Sequence, residues 1–169
     1  QVLTSIVLPD SVEKIGSRAF ANCTLLENIN IPDGVTEISS NAFKGCKKLT
    51  EVKLHDKITT IGDNAFYGCE TLGDIYIPEG VTNIGAGAFN GTKITQTVIP
   101  DGVCSLGELT FANCEALTKV VIPESVTSIS ADCFSESPYV VLWVYDASYA
   151  AEFASENDIA VLKITPSQF

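Results

Sequence analysis

A phenylalanine recurs along this chain at a nearly fixed interval: Phe20, Phe43, Phe66, Phe89, Phe111 and Phe134 are spaced by 23, 23, 23, 22 and 23 residues. Other columns keep step with it. Leu3, Leu26, Leu49, Leu72, Ile94 and Leu117 open each unit, and Val12, Val35, Ile58, Val81, Val103 and Val126 follow a column of Pro9, Pro32, Pro78, Pro100 and Pro123. Ile15, Ile38, Ile61, Ile84, Leu106 and Ile129 lie three residues further on. A unit this short cannot bury its own apolar side chains, so a period of this length demands that successive units stack.

The unit reads L-x-x-I-x-I-P-[DE]-x-V-x-x-I-x-x-x-A-F-x-x-C-x-x. Its first half alternates apolar and polar residues, the period of a strand. Proline ends that strand because it lacks the N–H a ladder needs. The V-x-x-I stretch predicts a short extended segment on another side of the coil, and A-F-x-x-C predicts a single α- or 3₁₀-helical turn. Stacked at about 4.8 Å, such coils pair their strands into a parallel sheet. Each buried Phe then contributes roughly 1.5–3 kcal/mol before entropy is subtracted.

The pattern resembles the BspA-like branch of leucine-rich-repeat proteins, whose units carry I-P-x-x-V-x-x-I-G-x-x-A-F. The nearest match runs from Ile77 to Phe89, and Ile31 to Phe43 follows it with Ser39 at the glycine position. The resemblance covers residues 1–139 and implies an α/β leucine-rich-repeat solenoid: a right-handed coil of six repeats of about 23 residues. It also implies a secreted or surface-displayed protein, with some relatives acting as adhesins for host matrix proteins. The departures are His55 for Pro, Thr110 and Cys133 for Ala, and one residue missing between Phe89 and Ile94.

Beyond Phe134 the rhythm breaks at Pro138. An apolar strand is predicted over 139–145, then a helix from Tyr149 capped by Ser148 or Asp146 and stopped at Asn157-Asp158, then an extended segment over 159–164. Ser148 to Ala154 matches the S-Y-A-x-x-[YF]-A segment with which the family often ends. Residues 140–169 are therefore expected to cap a single continuous solenoid. At the other end Gln1 leads straight into a repeat, which predicts an exposed apolar edge and a natural chain that continues upstream.

Composition narrows the function. A net charge of -11 argues against nucleic acid, whose phosphates need Lys and Arg, and against anionic lipid. No apolar run is long enough to cross a bilayer, and no signal peptide is visible. Four of the six cysteines, Cys23, Cys46, Cys69 and Cys114, share one column and read as buried free thiols. Without a C-x-x-C pair they offer no zinc motif. The acidic column Asp10, Asp33, Asp56, Glu79, Asp101 and Glu124 could hold calcium, but its place after the proline favours a turn in which the carboxylates bond nearby amides. His55, the only histidine, is expected at an exposed strand edge, with no nucleophile and carboxylate set around it that the repeat does not already explain. No catalytic, metal or cofactor residue is assigned.

What remains is the outward face of the sheet, where the residues on either side of the central I point away from the core. Its N-terminal half is polar: Ser5 and Val7, Asn28 and Asn30, Glu51 and Lys53. Further on, Tyr76, Val98 and Val121 line up beside Asp74, Gln96 and Lys119. If the strand after Pro138 slips by one residue, Trp143 and Tyr145 extend that stripe; if it keeps phase, both are core. Exposed aromatic ladders suit a protein partner, although Val and Tyr also simply favour strands. The expected function is a non-enzymatic protein-binding module contacting a host matrix or surface protein through Asp74, Tyr76, Val98, Lys119, Val121 and Trp143. The alternative is a structural stalk in a larger surface protein. A monomer, or weak association through the N-terminal edge, is expected.

Overall fold

A computed structural model of the chain describes residues 3–165. Gln1, on which the N-terminal expectation turns, and the last four residues of the expected cap lie outside them. The described residues hold short strands and one helix: β1 Ser5–Ile6, β2 Asn28–Ile29, β3 Glu37–Ile38, β4 Thr60–Ile61, β5 Asn83–Ile84, β6 Gln96–Val98, β7 Ser105–Leu106, β8 Lys119–Ile122, β9 Ser128–Ile129, β10 Val141–Tyr145, α1 Tyr149–Glu156 and β11 Ala160–Ile164. Every recorded pairing is parallel, and strands pair with their counterparts in the next coil.

The coils build two strand walls. The L-x-x-I-x-I segments form the first, with β1 on β2 and the sheet β6-β8-β10-β11 further along. The V-x-x-I segments form the second, in the order β3-β4-β5 and then β7-β9. Between the walls each proline carbonyl accepts the N–H three residues on, as in Pro32 O with Val35 N (2.9 Å) and Pro100 O with Val103 N (3.0 Å). The acidic column occupies the second position of these turns, but its carboxylates do not bond the local amides as expected. Among the described residues only Asp33 of the six is held, by Lys57 at 3.1 Å. The backbone bond alone closes the turn.

His55 departs from expectation too. Its ring is half-buried rather than at an exposed edge, with Nε2 3.0 Å from the carbonyl of Pro32 in the preceding coil. Nδ1 accepts the N–H of Lys57 at 3.3 Å, which puts the proton on Nε2. The imidazole thus adds a link between coils where proline would have filled space.

The A-F-x-x-C segments make the third wall, and they are turns rather than a helix. The reason lies in two left-handed columns. Arg18, Asn41, Asn64, Gly87 and Leu109, two residues before Phe, have positive φ, as do Asn22, Gly45, Gly68, Gly91, Asn113 and Glu136, two residues after it. A left-handed residue at each end stops helical propagation. At Gly45 a side chain would also collide, since an added Cβ would lie 2.6 Å from Asn22 Oδ1. The reward is pairing along the solenoid: Phe20 N–H donates to Ala42 O, Phe43 to Ala65, Phe66 to Ala88, Phe89 to Thr110 and Phe111 to Cys133, at 2.8–3.0 Å. The residues two before and two after Phe make two further such columns, exemplified by Asn41 N–H to Asp63 O and Gly68 N–H to Asn90 O.

Inside, Phe43, Phe66, Phe89 and Phe111 are fully buried. All six rings stack, with neighbouring centroids 5.4–5.9 Å apart and planes within 3–11° of parallel. Phe20 in the first coil is only half-buried. At the far end Ser148 caps α1 by accepting the Ala151 N–H, Asn157 ends it, and β11 pairs with β10. The predicted strand, helix and extended segment are all found.

Candidate binding face

The outward column of the first wall is set by strand register. Val98 pairs with Val121, Val121 with Trp143, and Trp143 with Leu162. The strand after Pro138 has slipped by one residue, because Leu142 pairs with Val120, an offset of 22 rather than 23. Trp143 therefore joins the outer stripe, half-buried, while Leu142 and Val144 turn into the core. The deletion after Thr92 shifts an earlier coil in the same way and leaves Tyr76 beside Val98.

The six residues expected to meet a partner differ in availability. Tyr76 and Val98 are open, at 59% and 48% exposure. Val121 is not: it faces outward yet keeps only 4% exposure. Val98 and Trp143 flank it in the ladder, and it shares a concavity of about 210 Å³ with Pro123 and Tyr145. Lys119 is half-buried with its Nζ 3.8 Å from the centre of the Trp143 ring, a cation–π contact that covers the indole face. Asp74 is already employed. Its Oδ1 accepts the N–H of Thr95 at 2.6 Å and of Gln96 at 3.2 Å, and both its oxygens take the Thr95 hydroxyl. That carboxylate supplies the bonds a strand at 74–76 would have made, and no strand forms there.

Two concavities follow the stripe. One of about 330 Å³ lies between Tyr76 and Val98, with Asp74, Gln96 and Glu79 at its margins. The other, around Val121, has Glu79 and Asp101 on its rim. Glu79 and Asp101 were not singled out in sequence as neighbours of the stripe; the turn column runs three residues from it, which was the available signal. Tyr145, expected to extend the stripe after a slip of one residue, lies half-buried at the hollow around Val121. Leu162, 41% exposed on β11, was also missed, because the repeat gives no register beyond the last coil. A third hollow, about 390 Å³, lies at the polar end between Val7, Asn30 and Lys53. There the Asn30 side chain is bonded in both directions to the backbone of Leu8, so the hollow's best polar group is already used.

The buried thiols belong to the packing between coils. Among the described residues all six cysteines are free and no three metal-ligating side chains converge. The thiols of Cys46, Cys69 and Cys114 donate to the carbonyl of the Phe one coil back, at 3.1–3.2 Å, and Ser137 does the same with its hydroxyl at 2.7 Å. Burial pushes the Cys46 and Cys133 thiols up to about 12 and raises Cys69 and Cys114 as well. Such thiols are not nucleophiles at neutral pH. No helix among the described residues is long and apolar enough to cross a membrane.

Residues 2–117 and 84–142 match the BspA-type leucine-rich-repeat region in six copies. No curated protein matches the chain in sequence. Solved structures do. A leucine-rich-repeat protein of T. pallidum is 27% identical with a TM-score of 0.77, the match covering 85% of this chain and 70% of that one. A leucine-rich cell surface protein of Faecalibacterium prausnitzii is 27% identical with a TM-score of 0.71, over 97% of this chain and 52% of its own. A leucine-rich-repeat protein of Bacteroides ovatus is 25% identical with a TM-score of 0.69, over 85% and 48%. This chain thus spans about half the length of the last two.

Proposed function

This chain belongs to the BspA-type leucine-rich-repeat family, and on that footing we propose that it is a non-enzymatic, protein-binding module displayed outside the cell. Residues 1–139 are its repeats and 140–169 the cap of its last coil. The observation that carries the reading is the stripe Tyr76, Val98, Trp143 and Leu162, which crosses adjacent coils on one face. Aromatic and apolar side chains held rigidly on a sheet lose little entropy on contact and make good anchors. Asp74, Lys119 and Val121 support that surface from beneath and beside it. The partner class is an extracellular matrix or host surface protein, which makes the module an adhesin; the cell-surface relative in F. prausnitzii supports the location.

Binding to an immobilised extracellular-matrix preparation tests this. Tyr76→Asp and Val98→Asp should each weaken binding by about tenfold or more, as for a lost anchor. Thr60→Asp, on the other strand wall, should not. Val121→Asp is unsuitable, because it would bury a charge. Equal binding by all variants removes the face from contention. A stalk is the second reading, favoured by the unbroken six-ring stack that stiffens the rod. It predicts no saturable binding by any variant.

A further inference from the structure

Tyr76, Val98, Val121, Trp143 and Leu162 run along the solenoid axis, across the strands rather than with them. Four steps of about 4.8 Å make the stripe roughly 19 Å long. The turn column runs parallel to it on one flank; by register Asp146 continues it past Glu124, but Asp146 is paired with Lys163 at 2.6 Å and adds no free charge. Glu79, Asp101 and Glu124 have no ion-pair partner among the described residues. Glu79 and Asp101 stand on the rim of the hollow that holds Val98 and Val121. An apolar track with one uncompensated acidic bank fits a ligand that is apolar along a line and basic along one side of it.

Spacing selects the ligand's form. On an extended peptide, side chains of one face repeat at about 6.6–6.8 Å, which drifts out of step with a 4.8 Å track within two residues. On an α-helix, side chains at i, i+3 and i+4 rise by about 4.5–6.0 Å, bracketing the coil spacing. We infer that the stripe is the seat of an amphipathic, Lys/Arg-flanked helix of about 13 residues lying along the solenoid axis, its apolar line on Tyr76 through Leu162 and its basic flank over Glu79 and Asp101. The inference rests on the binding role given to this face above and adds the partner's shape and charge.

The test uses the whole chain and three synthetic 14-residue peptides: one with Leu at positions 1, 4, 8 and 11 and Lys along one flank, one with Glu replacing Lys, and a scrambled Lys peptide. The single tryptophan is Trp143, so its emission reports occupancy directly. The Lys peptide should bind saturably and shift that emission. Glu79→Lys with Asp101→Lys should weaken it by about tenfold and transfer preference to the Glu peptide, and added salt should narrow the difference. Absence of saturable binding by the Lys peptide overturns the inference, as does equal binding of the scrambled peptide or indifference to the double reversal. If Val98→Asp abolishes peptide binding while the double reversal does not, the face binds but not through a basic flank. If neither variant matters and the matrix experiment is also insensitive to the face, both readings fall.

Discussion

Thr97 occupies the central inward position of β6, where other coils place Ile29, Val52, Ile75, Val120 and Leu142. Its residue is 5% exposed and its hydroxyl finds no hydrogen-bond partner. Valine has the same shape and removes the unpaired group, while the backbone ladder is untouched. Relief of an unsatisfied buried hydroxyl is worth about 1–2 kcal/mol, so Thr97→Val should stabilise the fold. In a chain of this size that raises Tm by about 2–8 °C. The same substitution at Thr92 supplies the contrast. Thr92 is 2% exposed, and its hydroxyl donates to the Phe89 carbonyl at 2.8 Å. That carbonyl keeps the Cys114 thiol at 3.2 Å, so Thr92→Val removes the hydroxyl's bond and its weaker 3.5 Å contact with Cys114 Sγ without orphaning an acceptor, and costs about 0.5–1.5 kcal/mol. Urea melts followed by far-UV circular dichroism give both midpoints, with the slope checked because stacked repeats can unfold in sections. The reasoning fails if Thr97→Val leaves the midpoint unchanged or lowers it, or if the two variants shift it in the same direction.

Phe66→Ala should cost about 3–5 kcal/mol, since the ring is fully buried between two stacked neighbours at 5.5 and 5.7 Å. Phe20→Ala, half-buried with one ring neighbour, should cost under about 2 kcal/mol in the same urea assay. Comparable losses would mean that the stack does not carry the stability assigned to it. Thiol ionisation sets an alkaline limit. Cys46 and Cys133 are raised from an ordinary value of 9.0 to about 12, so below pH 9 both states hold the proton and stability is flat. Between pH 9 and 12 only the unfolded chain ionises, and stability should fall as pH rises. A Cys46→Ser, Cys133→Ala variant should show a shallower fall in its pH-dependent urea midpoint; an unchanged slope would place the cause elsewhere.

The architecture was legible because its determinants are periodic. The Phe, Ile and Val columns name the core, the proline column ends each strand, and Ser148 and Asn157 bracket the helix as their chemistry requires. Where one residue had two physically equivalent outcomes, the repeat gave no answer. Trp143 illustrates this: a slip of a single residue moves it from core to face, and nothing local to Pro138 chooses. Val121 faces outward as its alternation predicts, but its cover comes from coils on either side and from Tyr145. Asp74 and Asn30 read as surface residues. Only the folded chain reveals that their side chains replace missing ladder bonds. The cysteine column read as filler; Ser137 in the same register was the hint that the position wants a hydrogen-bond donor.

The coil-to-coil backbone bonds of the turn wall all run one way. In each of its three columns the N–H donates to the next coil, and the peptide whose carbonyl receives it donates onward in turn, as from Phe20 to Cys133. Three such head-to-tail columns are also what an α-helix contains. Electrically this wall is then a helix-like dipole laid along the rod, with its positive pole at the C-terminal end and a strength of roughly half a charge at each pole. Asp132 and Glu136 stand in the last coil and Arg18 in the first, the signs each pole favours. This wall therefore has a direction that a charged neighbour lying against it can sense before touching any side chain.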